Sequence, residues 1–199
     1  MNRLAPFALL VFALASSSVP EAAGAQPGTS GAPPSDGAKV AREYFPDALL
    51  VDQRGEELRF QTDLLEGKVV VIGAVSSDCK EHCAATLRAW TKAQKALGAR
   101  MGSAVHFLTL ASDVERDTPD RMRGLAAANQ AGKGWYFLTG SPGALRLVLA
   151  KLDLAPREDG SHATTWVIAN VVTGLWSLTP DTLSSEQLVD AVKTSLQDE

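Results

Sequence analysis

VVVIGAVSSDCKEHCAA, Val69 to Ala85, joins a continuous apolar run to the chain's two cysteines, Cys79 and Cys83. Val69 to Val75 is rich in β-branched residues and has no polar interruption, the composition of a central strand buried on both faces. The cysteines follow at once, with three residues between them. Beyond them Leu87, Trp90, Leu97 and Met101 recur at helical spacing, with Arg88, Lys92 and Lys95 elsewhere on the wheel. A buried strand that turns into an amphipathic helix is the repeating unit of an α/β sheet.

Downstream the unit repeats. Val105 to Ala111 reads as a strand, and SDVERD then leads to Thr118-Pro119, a cap residue before a proline at the first helical position. The helix it opens should run to about Asn129. Trp135 to Leu138 is the next strand, and Ser141-Pro142 opens a helix to about Lys151 by the same logic. Thr164 to Ala169 and Gly174 to Leu178 are two short strands. Ser184 and Gln187 have capping-box spacing ahead of a last helix striped by Leu188, Val192 and Leu196. Upstream, Ala48 to Val51, the turn Asp52 to Gly55 and Glu56 to Phe60 make an N-terminal β-hairpin. The order predicts an α/β fold, a mixed sheet flanked by helices, with that hairpin in front.

The N-terminus has the layout of a secretory signal: Arg3, an apolar run from Leu4 to Ala15, then small residues ending Ala23-Gly24-Ala25. Residues 1–25 are therefore expected to be a signal peptide, with an uncleaved membrane anchor as the other reading. Residues 26–43, opening on QPGTSGAPPSDG, are expected to be a Pro/Gly/Ser linker, and 44–199 one folded domain. Export to the periplasm is where disulfides persist. A core of this size needs no disulfide staple, so a local cysteine pair points to chemistry. The net charge of -4 and the lack of a basic run give no footing for nucleic acid and point to proteins or ions as partners.

Cysteines at a helix N-terminus meet unpaired amide hydrogens and the positive end of the dipole, and Lys80 adds a charge, so a thiolate is favoured there. Asp78 opposes this. A three-residue gap brings both side chains to one helical face, where they close a disulfide or bind a metal. Two thiolates select copper(I) or zinc, and an added imidazole also accommodates copper(II). Of the histidines, His106 lies in an apolar strand and reads as packing, and His82 on the cysteine helix is poorly placed to converge on the same ion. His162, in DGSHATT before a strand, is left undecided by pattern alone. The tryptophans Trp90, Trp135, Trp166 and Trp176 stand at core-facing or strand positions, where packing explains them.

Four segments in order make the chain similar to the SCO/SenC family of thioredoxin-fold copper chaperones. They are the strand with Cys79 and Cys83, the loop SDVERDTPDRM (Ser112 to Met122), GWYFLTGSPGALRLVLAKL, and GSHATTWVIAN. The resemblance runs from about Phe45 to the last helix and implies a thioredoxin-like fold. It also implies that Cys79, Cys83 and His162 bind one copper ion, Cu(I) or Cu(II), for assembly of the dinuclear copper centre of cytochrome c oxidase. The partners so implied are cytochrome c oxidase subunit II or another copper-site protein, and other copper chaperones. Where family members carry proline and an acidic residue between the cysteines and proline after them, this chain has Lys80-Glu81-His82 and Ala84. The alternatives are an exported thiol-disulfide reductase using Cys79 and Cys83 as its redox pair, a peroxide reductase, and a structural disulfide. Asp113, Glu115, Arg116 and Asp117 are expected to form a solvated loop beside the site.

Overall fold

The computed structural model describes residues 36–78, 81–156 and 164–197. The chain divides into two units, Met1–Ala32 and Pro33–Glu199, and every described residue lies in the second.

Seven strands form one sheet in the order β2-β1-β5-β4-β3-β6-β7. The expected hairpin is β1 (Leu49–Val51) and β2 (Glu57–Arg59), antiparallel, with Leu50 opposite Leu58. Asp52 closes it: its buried carboxylate accepts from the backbone N–H groups of Arg54 and Glu56 and pairs with the Arg54 guanidinium at 2.8 Å. β3 (Val69–Val75) is an interior strand next to the central one, parallel to β4 (Val105–Ala111) on one side and antiparallel to β6 (Thr165–Asn170) on the other. β5 (Trp135–Gly140) runs parallel to β4, and β7 (Leu175–Pro180) closes the far edge against β6. The mixed sheet with helices on its faces is the thioredoxin-like architecture that the sequence pattern and the resemblance lead one to expect.

Both faces of the sheet are covered, and alternation along β4 shows how. Phe107 turns to Trp90 of α2 (Glu81–Leu97), ring centroids 5.1 Å apart, while its neighbour His106 meets the Leu64 carbonyl and the Tyr136 ring. α2 packs beside α5 (Ser185–Ser195), whose Ser184–Gln187 capping box forms as its spacing predicts. α3 (Pro119–Ala128) and α4 (Pro142–Lys151) both begin at the expected cap-and-proline pairs, Thr118 and Ser141. Gly73 interrupts the β3 run for a packing reason: a Cβ there would sit 3.2 Å from both Trp90 and Trp166.

Three expectations are corrected. Within the 26–43 stretch expected as a linker, the described residues are helical: α1 spans Asp36–Tyr44. It is held by Tyr44, whose hydroxyl donates to the Lys151 carbonyl, and by the Arg42–Glu66 ion pair. The second hairpin arm stops at Arg59, and Phe60–Leu65 is a π-helical turn. Asp47 organises it by accepting from the N–H groups of Gln61 and Thr62 and from the Thr62 hydroxyl. Met101 does not extend the α2 stripe. A 3-10 turn, Gly98–Arg100, intervenes, and Met101 is buried at a bridge to Val105.

His106 is buried, and burial holds its imidazole below the usual histidine range, with the Lys68 charge acting the same way against the Leu64 hydrogen bond. Its folded pKa being depressed, the stability it contributes is present above the unfolded value of about 6.5 and is lost as pH falls below it. The urea midpoint is therefore expected to fall between pH 7 and pH 5, and to fall less in His106→Gln, which cannot be protonated. Equal slopes in the two proteins would refute this.

Candidate metal and thiol centre

Cys83 owes its place to the helical repeat. It opens the buried face of α2, Cys83, Thr86, Leu87, Trp90, Ala93 and Leu97, and is 6% exposed. The same stripe that packs the helix on the sheet thus fixes the sulfur near the carboxyl end of β3, where open α/β sheets gather ligands. Cys83 is in its disulfide-bonded form. Cys79 and His162 lie outside the described residues, and among the described residues no three His, Cys, Asp or Glu side chains are grouped to hold a metal ion.

The described residues that flank those two segments converge. Ser76 and Asp78, just before Cys79, line a cavity of about 500 Å³. So do Ser112, Asp113, Glu115 and Arg116 after β4, and Ala155 and Pro156, the last described residues before the segment that carries His162. On the other side of that segment, the Thr164 carbonyl accepts from Asp181 N at 3.0 Å. Sheet topology explains the meeting: β6 is antiparallel to β3, so it begins at the edge where β3 ends.

Asp117, expected in a solvated loop, is 1% exposed and ties the strand ends together. Its carboxylate accepts from Ser77 N at 2.7 Å and Asp113 N at 2.9 Å, and its carbonyl accepts from the Thr139 hydroxyl at the end of β5. Asp113, Glu115 and Arg116 are partly to fully exposed, and the Asp113 carboxyl lies below the usual range. Slight burial pushes it up, but hydrogen bonds from Arg116 N and Glu115 N and the Arg116 charge outweigh that.

Asp78 is not the unopposed negative charge its position suggests. Arg121 holds one of its oxygens at 2.9 Å and Arg116 the other at 3.4 Å, so the charge beside the cysteine turn is offset. His82 is turned to another task than ligation: its Nε2 lies 2.6 Å from Asp181 Oδ2. Asp117, Asp181, Arg116 and Arg121 carried no signal of these roles in the sequence, because each partner lies roughly 40 to 100 residues away along the chain or contacts a backbone atom.

The family model described as SCO1/SenC matches residues 37–197, some four fifths of the chain. The chain belongs to the SCO1/SenC family. The match begins within α1, earlier than the Phe45 start that the motifs suggest. No curated protein sequence matches significantly. Among solved structures the SCO1/SenC chain is similar to Arabidopsis thaliana ScoI with copper bound, at 18% identity and a TM-score of 0.64, covering 76% of this chain and 97% of that one. It is similar to Bradyrhizobium japonicum ScoI with copper bound, at 21% identity and a TM-score of 0.62, covering 74% and 96%. A third structure concerns a disulfide switch in BsSco, described as a member of the Sco family of cytochrome c oxidase assembly proteins. It shares 18% identity, with a TM-score of 0.60 and coverage of 76% and 92%. At these identities the likeness establishes the fold.

Proposed function

We propose that this SCO1/SenC protein is a copper-binding metallochaperone in which Cys79, Cys83 and His162 hold one copper ion as cargo, and in which the disulfide is the metal-free off state. The observation that carries it is the convergence of the two ligand-bearing segments. Cys83 is buried at the start of α2, Asp78 and Pro156 border one cavity, and Thr164 joins Asp181, which reaches the first turn of α2. Two soft thiolates with one imidazole fit copper in both oxidation states, whereas a structural zinc site would want a fourth protein ligand. Family membership and the copper-bound ScoI structures support the reading.

The finer assignment is delivery to the dinuclear copper centre of cytochrome c oxidase, with subunit II or another copper-site protein as recipient and other copper chaperones as donors. It draws on the description of BsSco. A periplasmic site of action fits the signal-like residues 1–25, and a tethered form fits a relative described as a SCO1/SenC family lipoprotein from Bacillus anthracis. Among the described residues no helix is long and apolar enough to cross a membrane.

The second reading, an exported thiol-disulfide reductase, is favoured by one observation, the disulfide-bonded state of Cys83. Copper(II) titration of the reduced chain decides between them. The chaperone reading expects one equivalent to bind with sulfur-to-copper charge-transfer absorption, and the oxidised chain to take up none. Reduction of model disulfides without copper uptake would leave only the reductase.

A further inference from the structure

Nothing in the metal assignment requires His82, yet its side chain links the first turn of α2 to Asp181, just past the end of β7. His82 is the second residue of α2 and the immediate neighbour of Cys83. Its ring is half exposed, while its partner Asp181 is 6% exposed, with Oδ2 at 2.6 Å from Nε2. Asp181 is anchored by its own backbone, which donates to the Thr164 carbonyl just before β6 begins. A buried carboxylate held in this way has little freedom to follow its partner. It therefore acts as a fixed post against which the first turn of α2 is clasped.

The first turn of α2 also carries Cys83, a sulfur whose bonding changes with redox state. Reduction of the disulfide in which Cys83 takes part breaks one S–S bond of about 2.05 Å and leaves two thiols that separate to at least van der Waals contact. A contact formed more strongly in one redox state stabilises that state relative to the other. The clasp is closed in the structure in which Cys83 is oxidised.

We propose that His82 and Asp181 are positioning residues for Cys83, holding the first turn of α2 in the geometry of the oxidised site and so setting its thiol-disulfide poise. The proposal rests on the reading of Cys83 as a redox-active metal thiolate, and deepens it. On release of the clasp the oxidised state loses its support and the disulfide becomes easier to reduce. In an exported protein that sets what fraction of the chain is competent for copper at a given ambient potential.

The test is equilibration of the full chain with glutathione. Two glutathione thiols are oxidised to one glutathione disulfide as the protein S–S bond takes up two electrons and two protons to give two thiols. His82→Leu and Asp181→Ala are each expected to shift the equilibrium constant about tenfold toward the thiols, roughly 30 mV for a two-electron couple. The double variant should shift it no further than either single one, because both remove the same contact. His82→Gln, which keeps a donor at that end of the side chain, should restore most of the difference. Asp181→Asn keeps the shape of the buried side chain and serves if Asp181→Ala does not fold, with a shift in the same direction.

A merely structural clasp would lower the melting temperature equally in the oxidised and reduced chains and leave the glutathione equilibrium unchanged, and that result overturns the proposal. So would a shift in His82→Leu not shared by the Asp181 variants. Failure of the reduced wild-type chain to take up copper would sink the chaperone reading instead. The glutathione equilibrium contains no copper and reads the clasp independently.

Discussion

His162→Ala is expected to lower the copper(II) affinity of the reduced chain by roughly a hundredfold or more, given that loss even of outer-shell partners of metal sites costs tenfold to a hundredfold. Charge-transfer absorption should disappear while the disulfide still forms and still exchanges with glutathione. The two thiolates left behind are soft donors that continue to favour copper(I). The variant should therefore bind copper(I) and fail with copper(II), a split that neither a reductase nor a structural disulfide produces. Undiminished absorption in His162→Ala would remove the histidine from the site and with it the proposed ligand set. Cys83→Ser is the companion control and is expected to lose both copper states.

Gly134→Ala should produce the largest loss of stability, about 4 kcal/mol from combined backbone strain and overpacking. Gly134 adopts φ +80° at the entrance to β5, and a Cβ there would lie 2.1 Å from Gly102 N and 2.6 Å from Gly102 Cα. Those atoms are backbone and cannot rotate away. Both glycines are tied into the sheet, since the Gly134 carbonyl accepts from Phe107 N and Gly102 N donates to the Val105 carbonyl. At 2–4 °C per kcal/mol for a chain of this size, the melting temperature should fall by roughly 10 °C. Gly102→Ala, at φ +74°, would bring its Cβ nearest to the Lys133 side chain, with Cγ at 2.5 Å; that side chain can shift where a backbone cannot, so the cost should be about 2 kcal/mol. Equal losses in the two variants would show that dihedral strain, rather than the close approach of two backbones, governs the site. Gly134 lies at the edge of the sheet opposite Cys83, so copper affinity is expected to be unchanged in the folded fraction.

The elements that could be read from the sequence are those whose signal is local. The run Val69 to Val75 is β3 residue for residue because an uninterrupted apolar segment has one stable place, the middle of a covered sheet. Thr118-Pro119, Ser141-Pro142 and Ser184 with Gln187 start helices where expected, because a cap is satisfied by the amide groups two or three residues along. The π-helical turn escaped because its organiser, Asp47, precedes it by some fourteen residues and looks like any loop aspartate. α1 escaped because its nine residues, rich in charge and next to a Pro/Gly/Ser stretch, offer only Val40 and Tyr44 as large apolar side chains, too few to mark a helix against that background. It is held from outside by Lys151 and Glu66.

The site divides along the same line. That a thiol would stand at the start of a helix beyond a central strand is written in residues 69–90, since hydrophobic spacing alone buries Cys83 beside Leu87 and Trp90. Which residues surround it was decided by the fold. Asp117 joins three strand ends, Arg116 and Arg121 offset Asp78, and Asp181 captures His82. Each of these contacts depends on β3, β4 and β5 ending at the edge where the antiparallel β6 begins. Patterns in a sequence report a residue's relation to neighbours within a turn or a strand, whereas hydrogen bonds and ion pairs form between whatever groups the closed sheet brings within about 3 Å.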